Sequence, residues 1–138
     1  MHKIKLKFEG EVMFSTTMTV RVSDINYGGH VGNDRFVSII HEARVRWLNS
    51  IGYKSELDID GLGLIQKDLA VDYKKEVKYG QDLTINLSVA QTYRYGFTLF
   101  YRLSAEDEEV AVAFTNLLFY DYSSLKLSHI PDDFLSNI

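Results

Sequence analysis

Apolar and polar side chains alternate first over residues 11 to 22, where Val12, Phe14, Thr16, Met18, Val20 and Val22 are interleaved with Glu11, Ser15, Thr17 and Arg21. A period of two predicts a half-buried strand that delivers Asp24 to its end. The period then changes. From Phe36, the residues Ile39, Ile40, Ala43, Trp47 and Ile51 recur at three- and four-residue intervals, which predicts a helix with one apolar face, closed by Gly52. Arg35, Glu42 and Arg46 share a flank of this helix, and Glu42 can pair with Arg46 one turn on. After a loop through Asp58 to Gly63, alternation returns at Leu69, Val71, Tyr73, Val77 and Tyr79. Gly80-Gln81-Asp82 predicts a turn, and Leu83, Ile85, Leu87 and Val89 a third strand. Tyr95-Gly96 interrupts the pattern before a fourth strand through Phe97, Leu99, Tyr101 and Leu103. The acidic run Glu106 to Glu109 predicts the next turn, Val110 to Tyr120 the fifth strand, and the last seven residues a trailing tail. Consecutive strands of this kind form an antiparallel sheet. With one long helix they make an α+β arrangement in which the sheet can wrap the helix.

Composition narrows the class. A chain of 138 residues, 46% hydrophobic and 13% aromatic, is ample for one core, so residues 1–138 are expected to form a single domain. Fifteen basic against nineteen acidic residues give a net charge of -4, which lacks the overall electrostatic footprint of a nucleic-acid binder. No apolar run reaches signal-peptide length or the roughly 18 residues of a membrane span, and a cytoplasmic protein is expected. Zero cysteines exclude disulfides, thiol nucleophiles and Cys-ligated zinc. The histidines form no metal-ligand spacing, and neither a G-x-S-x-G elbow nor a glycine-rich phosphate loop is present, so no metal or cofactor is expected.

Candidate chemistry concentrates between the first strand and the helix. Asp24, Asn26, His30, Asn33 and Asp34 fall within eleven residues around Gly28, Gly29 and Gly32, where the backbone can turn sharply and approach a ligand. Asn33 or Asp34 is expected to cap the helix, whose free N–H groups would suit a developing oxyanion. His30 is suited to proton transfer near neutrality, or else is a turn residue. Asn26 can hold a water or polarise a carbonyl through its amide, or fix the loop as an Asx-turn. Asp24 can serve as a carboxylate base or order the loop by pairing with Arg21 or Arg35. Glu42 can reach a partner's site or remain in its ion pair with Arg46.

The order Asp24, Asn26, Gly28-Gly29, His30-Val31, Asn33, Phe36, continuing as HEARVRWLNSIGY from His41 to Tyr53, resembles the hotdog-fold thioesterases, in particular the hydroxybenzoyl-CoA and acyl-CoA thioesterase group. An INYGGH turn at Ile25 to His30 and a later YGF at Tyr95 to Phe97 are similar to a bacterial branch of that family. The resemblance implies a hotdog fold, with the antiparallel sheet wrapped around one long central helix. It also implies hydrolysis of an acyl-CoA or acyl-carrier-protein thioester to a free acid, without cofactor, in a homodimer or homotetramer that shares two sites across its interface. In the hydroxybenzoyl-CoA branch the catalytic carboxylate falls where this chain has Asn26, so attack by water is expected, with His30 and either Asn26 or Asp24 activating it. Backbone N–H groups near Gly32 and Asn33 would hold the oxyanion, and the acyl group would enter beside Phe36, Ile40 and the turn from Tyr93 to Phe97. Glu42 is the remaining helix carboxylate. Lys74, Lys75, Lys78 and Arg94 are the candidates for the coenzyme A phosphates, or a charged strand edge that discourages aggregation. The rival readings are a non-hydrolytic acyl-CoA binder and a hotdog dehydratase acting on a hydroxyacyl thioester.

Overall fold

A computed structural model describes all residues, 1–138. Strand β1 (Phe14–Thr19) leads through a single 3-10 turn (Val22–Asp24) to helix α1 (Asn33–Ser50). Strands β2 (Gly63–Tyr73), β3 (Asp82–Thr92), β4 (Gly96–Ala105) and β5 (Glu108–Asp121) follow, then a short β6 (Lys126–Leu127) and helix α2 (Asp132–Ser136). The sheet order is β1-β3-β4-β5-β2, with every pair antiparallel and β6 added to the end of β5. This is the expected α+β arrangement of an antiparallel sheet with one long helix.

The helix lies on the sheet because its buried residues, Phe36, Ile39, Ile40, Ala43, Arg44, Trp47 and Leu48, form one stripe. They meet the alternate residues Leu83, Ile85 and Leu87 of β3, Phe97, Leu99, Tyr101 and Leu103 of β4, and Ala111, Ala113, Leu117 and Phe119 of β5 in one core cluster. Gly52 follows the helix with φ +99°, the left-handed conformation expected of a glycine that closes a helix. At Gly96 the constraint is contact: a Cβ there would lie 1.9 Å from the Leu117 carbonyl oxygen, so only glycine admits the β4–β5 pairing at that point.

Several boundaries differ from the sequence expectation, each for a local reason: β1 is confined to Phe14–Thr19 within the alternating residues 11 to 22, because Val22 already opens the 3-10 turn. Strand β2 spans Gly63–Tyr73 rather than residues 69 to 79, because a bulge between Gln66 and Asp68 breaks the period of two in its first half. The later alternation at Val77 and Tyr79 marks a segment outside the sheet: Val77 is fully buried and its carbonyl accepts the Val31 N–H at 2.8 Å. Of the acidic run, only Glu106 and Asp107 turn the chain, both at positive φ, while Glu108 and Glu109 belong to β5. Nor does the C-terminus trail. Phe134 of α2 is fully buried, with ring centroids 6.1 Å from Trp47, 5.3 Å from Phe97 and 5.1 Å from Phe119, so it plugs the end of the core where α1 stops.

The N-terminal residues cross the outer face of the sheet. Phe8 packs edge-on against Phe100, Arg102 lies 4.5 Å over the Phe8 ring, and the Leu6 N–H donates to Asp72 at 3.0 Å. This arm explains why β4 is buried on both faces.

Candidate active site

The segment from Asp24 to Gly32 folds into a small closed turn. Asn26 N–H donates to the His30 carbonyl at 2.9 Å, and Gly29 N–H to the Asn26 carbonyl at 3.0 Å. The Asn26 side-chain oxygen accepts the Gly28 N–H at 2.9 Å, an Asx-turn that leaves its amide NH₂ without a protein partner. Asp24 is buried, and its carboxylate accepts the Arg21 N–H at 2.8 Å and the Arg21 Nε at 3.4 Å. The Asp24 carbonyl takes the Gly32 N–H at 3.2 Å. Val31 and His30 then pair with Val77 and Lys78, which pins the turn to the segment after β2. The His30 ring is partly exposed, with Nε2 3.8 Å from the Glu76 carboxylate.

Directly after this turn α1 begins, and its cap is Gly32, not Asn33 or Asp34; no side chain bonds to the first turn. The reason is the chain's exit from the closed turn, which holds Gly32 extended while Asn33 is already helical. Asn33 and Asp34 therefore keep backbone N–H groups without an acceptor, whereas Gly32 N–H is taken up by Asp24. The open donor pair is Asn33 and Asp34, one residue further on than expected. Tyr73, at the end of β2, covers this corner: its hydroxyl donates to the Asn33 carbonyl at 3.1 Å and its ring packs edge-on against Phe36. Burial, helped by the nearby Asp34 charge, pushes the Tyr73 phenol above its ordinary pKa and keeps it a donor.

The remaining candidates separate. Phe36 and Ile40 are core residues, 3% and 1% exposed, so they back the site rather than line an entrance. Glu42 is bound to Arg46 at 2.8 Å, and Arg46 is anchored on Thr16 and Thr17 of β1. Glu42 and Asp24 line one cavity of about 370 Å³ between β1 and α1, each with its own arginine. Lys74 pairs with Glu109 and Lys75 with Glu108, both at 2.7 Å, while Lys78 lies beside His30 without an ion pair. Arg94 is elsewhere. It follows β3 whereas Lys78 precedes it, so a strand of roughly 35 Å separates them. There Arg94 stacks 5.2 Å over Tyr95 and bonds His129, beside a cavity of about 340 Å³ that includes Lys67, Tyr93 and Phe97. The Tyr93-to-Phe97 turn thus lies at the far end of the sheet from His30. No three His, Asp or Glu side chains converge as metal ligands would.

One polar cluster escaped the sequence reading. Arg44, on the apolar stripe of α1, is buried and donates to Glu56 at 3.0 Å, Gln66 at 3.2 Å and the Tyr101 hydroxyl at 3.1 Å; Tyr101 in turn meets Thr115 at 2.8 Å. Glu56 also holds His41 at 2.5 Å. The available signal was a basic residue at the helical spacing of Ile40, Ala43 and Trp47. Burial alone would lower the Arg44 pKa, but Tyr101 and Glu56 outweigh it and raise it. Burial likewise raises the Tyr101 phenol. Its folded pKa therefore exceeds the unfolded value of about 10, so its stabilising contribution is complete below that pH and is lost as pH rises through the folded value. Ultraviolet titration is expected to show one of the nine tyrosines ionising only as the protein unfolds. Ionisation of all nine in the folded state would contradict this.

The comparisons with known proteins agree with this fold. A family model described as the thioesterase-like superfamily matches residues 20–138. A comparison with curated protein sequences gives no match. Among solved structures, a 1,4-dihydroxy-2-naphthoyl-CoA thioesterase from Synechocystis superposes with a TM-score of 0.83 at 22% identity, covering 91% of this chain and 94% of that one. A hypothetical protein from Aquifex aeolicus gives 0.82 at 25% identity, covering 90% and 98%. A Staphylococcus aureus protein solved in complex with CoA gives 0.84 at 17% identity, covering 96% and 85%. At such identities the structural likenesses establish the fold, which is that of the hotdog thioesterases. The family match contains the closed turn, the open helix start and four of the five long strands, and the chain belongs to the thioesterase-like superfamily.

Proposed function

We propose that this protein is an acyl-CoA thioesterase that hydrolyses its substrate to a free acid and coenzyme A. The observation that carries the reading is the pair of unbonded N–H groups of Asn33 and Asp34, opening an 18-residue helix beside His30 and the free Asn26 amide. Two fixed donors at a positive helix end favour the charge that develops on a thioester oxygen under attack. Water adds to the carbonyl carbon as His30 takes its proton, and the Asn26 NH₂ orients the water. As the tetrahedral intermediate collapses, the C–S bond breaks and the imidazolium returns the proton to the departing thiolate. Asp24 acts through the turn it orders, and Glu42 stays with Arg46. Lys78, the free cation next to His30, would meet a phosphate nearer the reacting end than Arg94 can. Incubation with a panel of acyl-CoAs tests the reading: free thiol should accumulate with at least one of them. Saturable binding without thiol would instead favour the non-hydrolytic binder, a rival suited by the amide at position 26 and by the ion pairs that hold Asp24 and Glu42.

The assembly belongs to the same proposal. Strand β2 is an eleven-residue edge bonded only to β5, and apolar Val37, Leu57 and Tyr73 are exposed on its side of α1. Edge-to-edge pairing of β2 in two copies would satisfy those backbone groups and cover that surface. The expected mass in solution is twice or four times that of the 15.9 kDa chain. A fully active monomer at micromolar concentration would refute the assembly.

A further inference from the structure

We propose that the N-terminal arm, residues 1–8, holds the phosphates at the nucleotide end of coenzyme A through Lys3, Lys5 and Lys7, and so gives this chain a preference for CoA-borne substrates. This rests on the acyl-CoA reading above. The arm carries three lysines and no acid in a chain of net charge -4. All three are exposed and none has an ion pair, although Lys74 and Lys75, which follow β2, are both paired. A chain terminus ordinarily trails. This one is fixed: the Leu6 N–H donates to Asp72 at 3.0 Å, the Lys74 ammonium donates to the Leu6 carbonyl at 3.2 Å, and the Phe8 ring meets Phe100 and Arg102. Leu6 and Phe8 are half-buried, and the exposed lysines alternate with them at a spacing of roughly 7 Å. The sheet thus holds a row of cations in place before any ligand arrives, which lowers the ordering cost of binding. A trough of about 730 Å³ runs along the arm, bordered by all three lysines and by Lys74, a size suited to a nucleotide. Of the two acids on it, Asp72 is occupied by the Leu6 N–H, and Glu9 lies over β3, where Ser88 donates to its carbonyl.

Position joins this row to the reaction. Asp72 and Lys74, which hold the arm, flank Tyr73, whose hydroxyl bonds the Asn33 carbonyl at the start of α1. The arm is therefore one layer, roughly 10 Å, from the proposed oxyanion donors. It lies on the outer face of the sheet, opposite the α1 side that a second copy would cover, and residues 74 to 78 run past the end of β2 toward His30. In CoA about thirteen bonds, roughly 16 Å when extended, separate the thioester sulfur from the first phosphorus, enough to round that end of β2. The family match begins at residue 20, so the arm lies outside the matched region.

The test combines Lys3→Gln, Lys5→Gln and Lys7→Gln in the full-length protein, a variant that keeps every bond fixing the arm. The ratio of kcat/KM for an acyl-CoA to that for the same acyl-pantetheine, which lacks the nucleotide, should fall about tenfold, the worth of a few exposed ion pairs. The corresponding triple Lys→Arg variant should keep the ratio. By calorimetry, adenosine 3′,5′-bisphosphate should bind the unsubstituted protein about tenfold more tightly than the Gln variant. An unchanged ratio, or an equal loss on both substrates as a merely structural role would give, would overturn the proposal. So would binding to phosphatidylglycerol vesicles that the Gln variant loses while its affinity for the bisphosphate is unchanged, since the lysines would then serve a lipid surface. The two claims fail separately. Bisphosphate binding weakened in the variant, without thiol release from any acyl-CoA, refutes hydrolysis alone; thiol release with an unchanged ratio refutes the arm alone; neither thiol release nor bisphosphate binding refutes both.

Discussion

His30→Ala and Asn26→Ala are each expected to lower turnover of the preferred acyl-CoA by on the order of 10²-fold, the usual worth of one proton-transfer group or one preorganised donor. Neither should unfold the protein. The His30 ring is partly exposed, and the backbone bonds of the turn, Asn26 N–H to the His30 carbonyl and Gly29 N–H to the Asn26 carbonyl, survive both substitutions. Asp24→Asn is the informative companion. Its carboxylate is buried on the Arg21 N–H, so the amide should weaken the turn and reduce activity in part without abolishing it. Near-normal thiol release by both His30→Ala and Asn26→Ala would remove this turn as the catalytic centre.

Arg44→Ala is expected to destabilise the fold by about 3–5 kcal/mol, because it takes a buried cation from a carboxylate and a buried phenol at once, leaving Glu56 with His41 and Tyr101 with Thr115. The Arg44 side chain is 6% exposed and Glu56 18%, so little water reaches the groups left behind. Arg44→Met combined with Glu56→Gln removes both charges while preserving volume, and should recover much of the loss. Urea unfolding measures both. A cost below about 1 kcal/mol for Arg44→Ala, the range of exposed ion pairs, would show that the network contributes little.

Much of the fold could be read from periodicity. The spacing of Ile39, Ile40, Ala43 and Trp47 identified α1 and its buried face, and the alternation of β3 and β4 gave strands whose inward residues form the core. Periodicity failed where one residue breaks the count, as at the Gln66–Asp68 bulge, and where a tail carries too few residues for any pattern, as with Phe134. The chemistry was legible as a cluster of residue types, but not as a set of partners. Asp24 through Asp34 stood out in the sequence; that Gly32 is the cap, that Asn33 and Asp34 keep free N–H groups, and that Arg94 lies a sheet's length from His30 follow from hydrogen bonds and strand register.

What the sequence by itself determined was therefore local: the period of each long element, the glycines that permit its turns, and the residue types concentrated before α1. These are properties of neighbours along the chain, and a side-chain pattern records them directly. Only the tertiary structure decided which charges meet. Arg44 finds Glu56, Gln66 and Tyr101 at separations of 12, 22 and 57 residues, and Lys74 finds Glu109 at 35. Such pairings depend on the sheet's curvature and register, to which no local pattern is sensitive. They settle which polar groups are occupied in holding the fold, and which, like the Asn26 amide and the Asn33 and Asp34 N–H groups, remain open to a ligand.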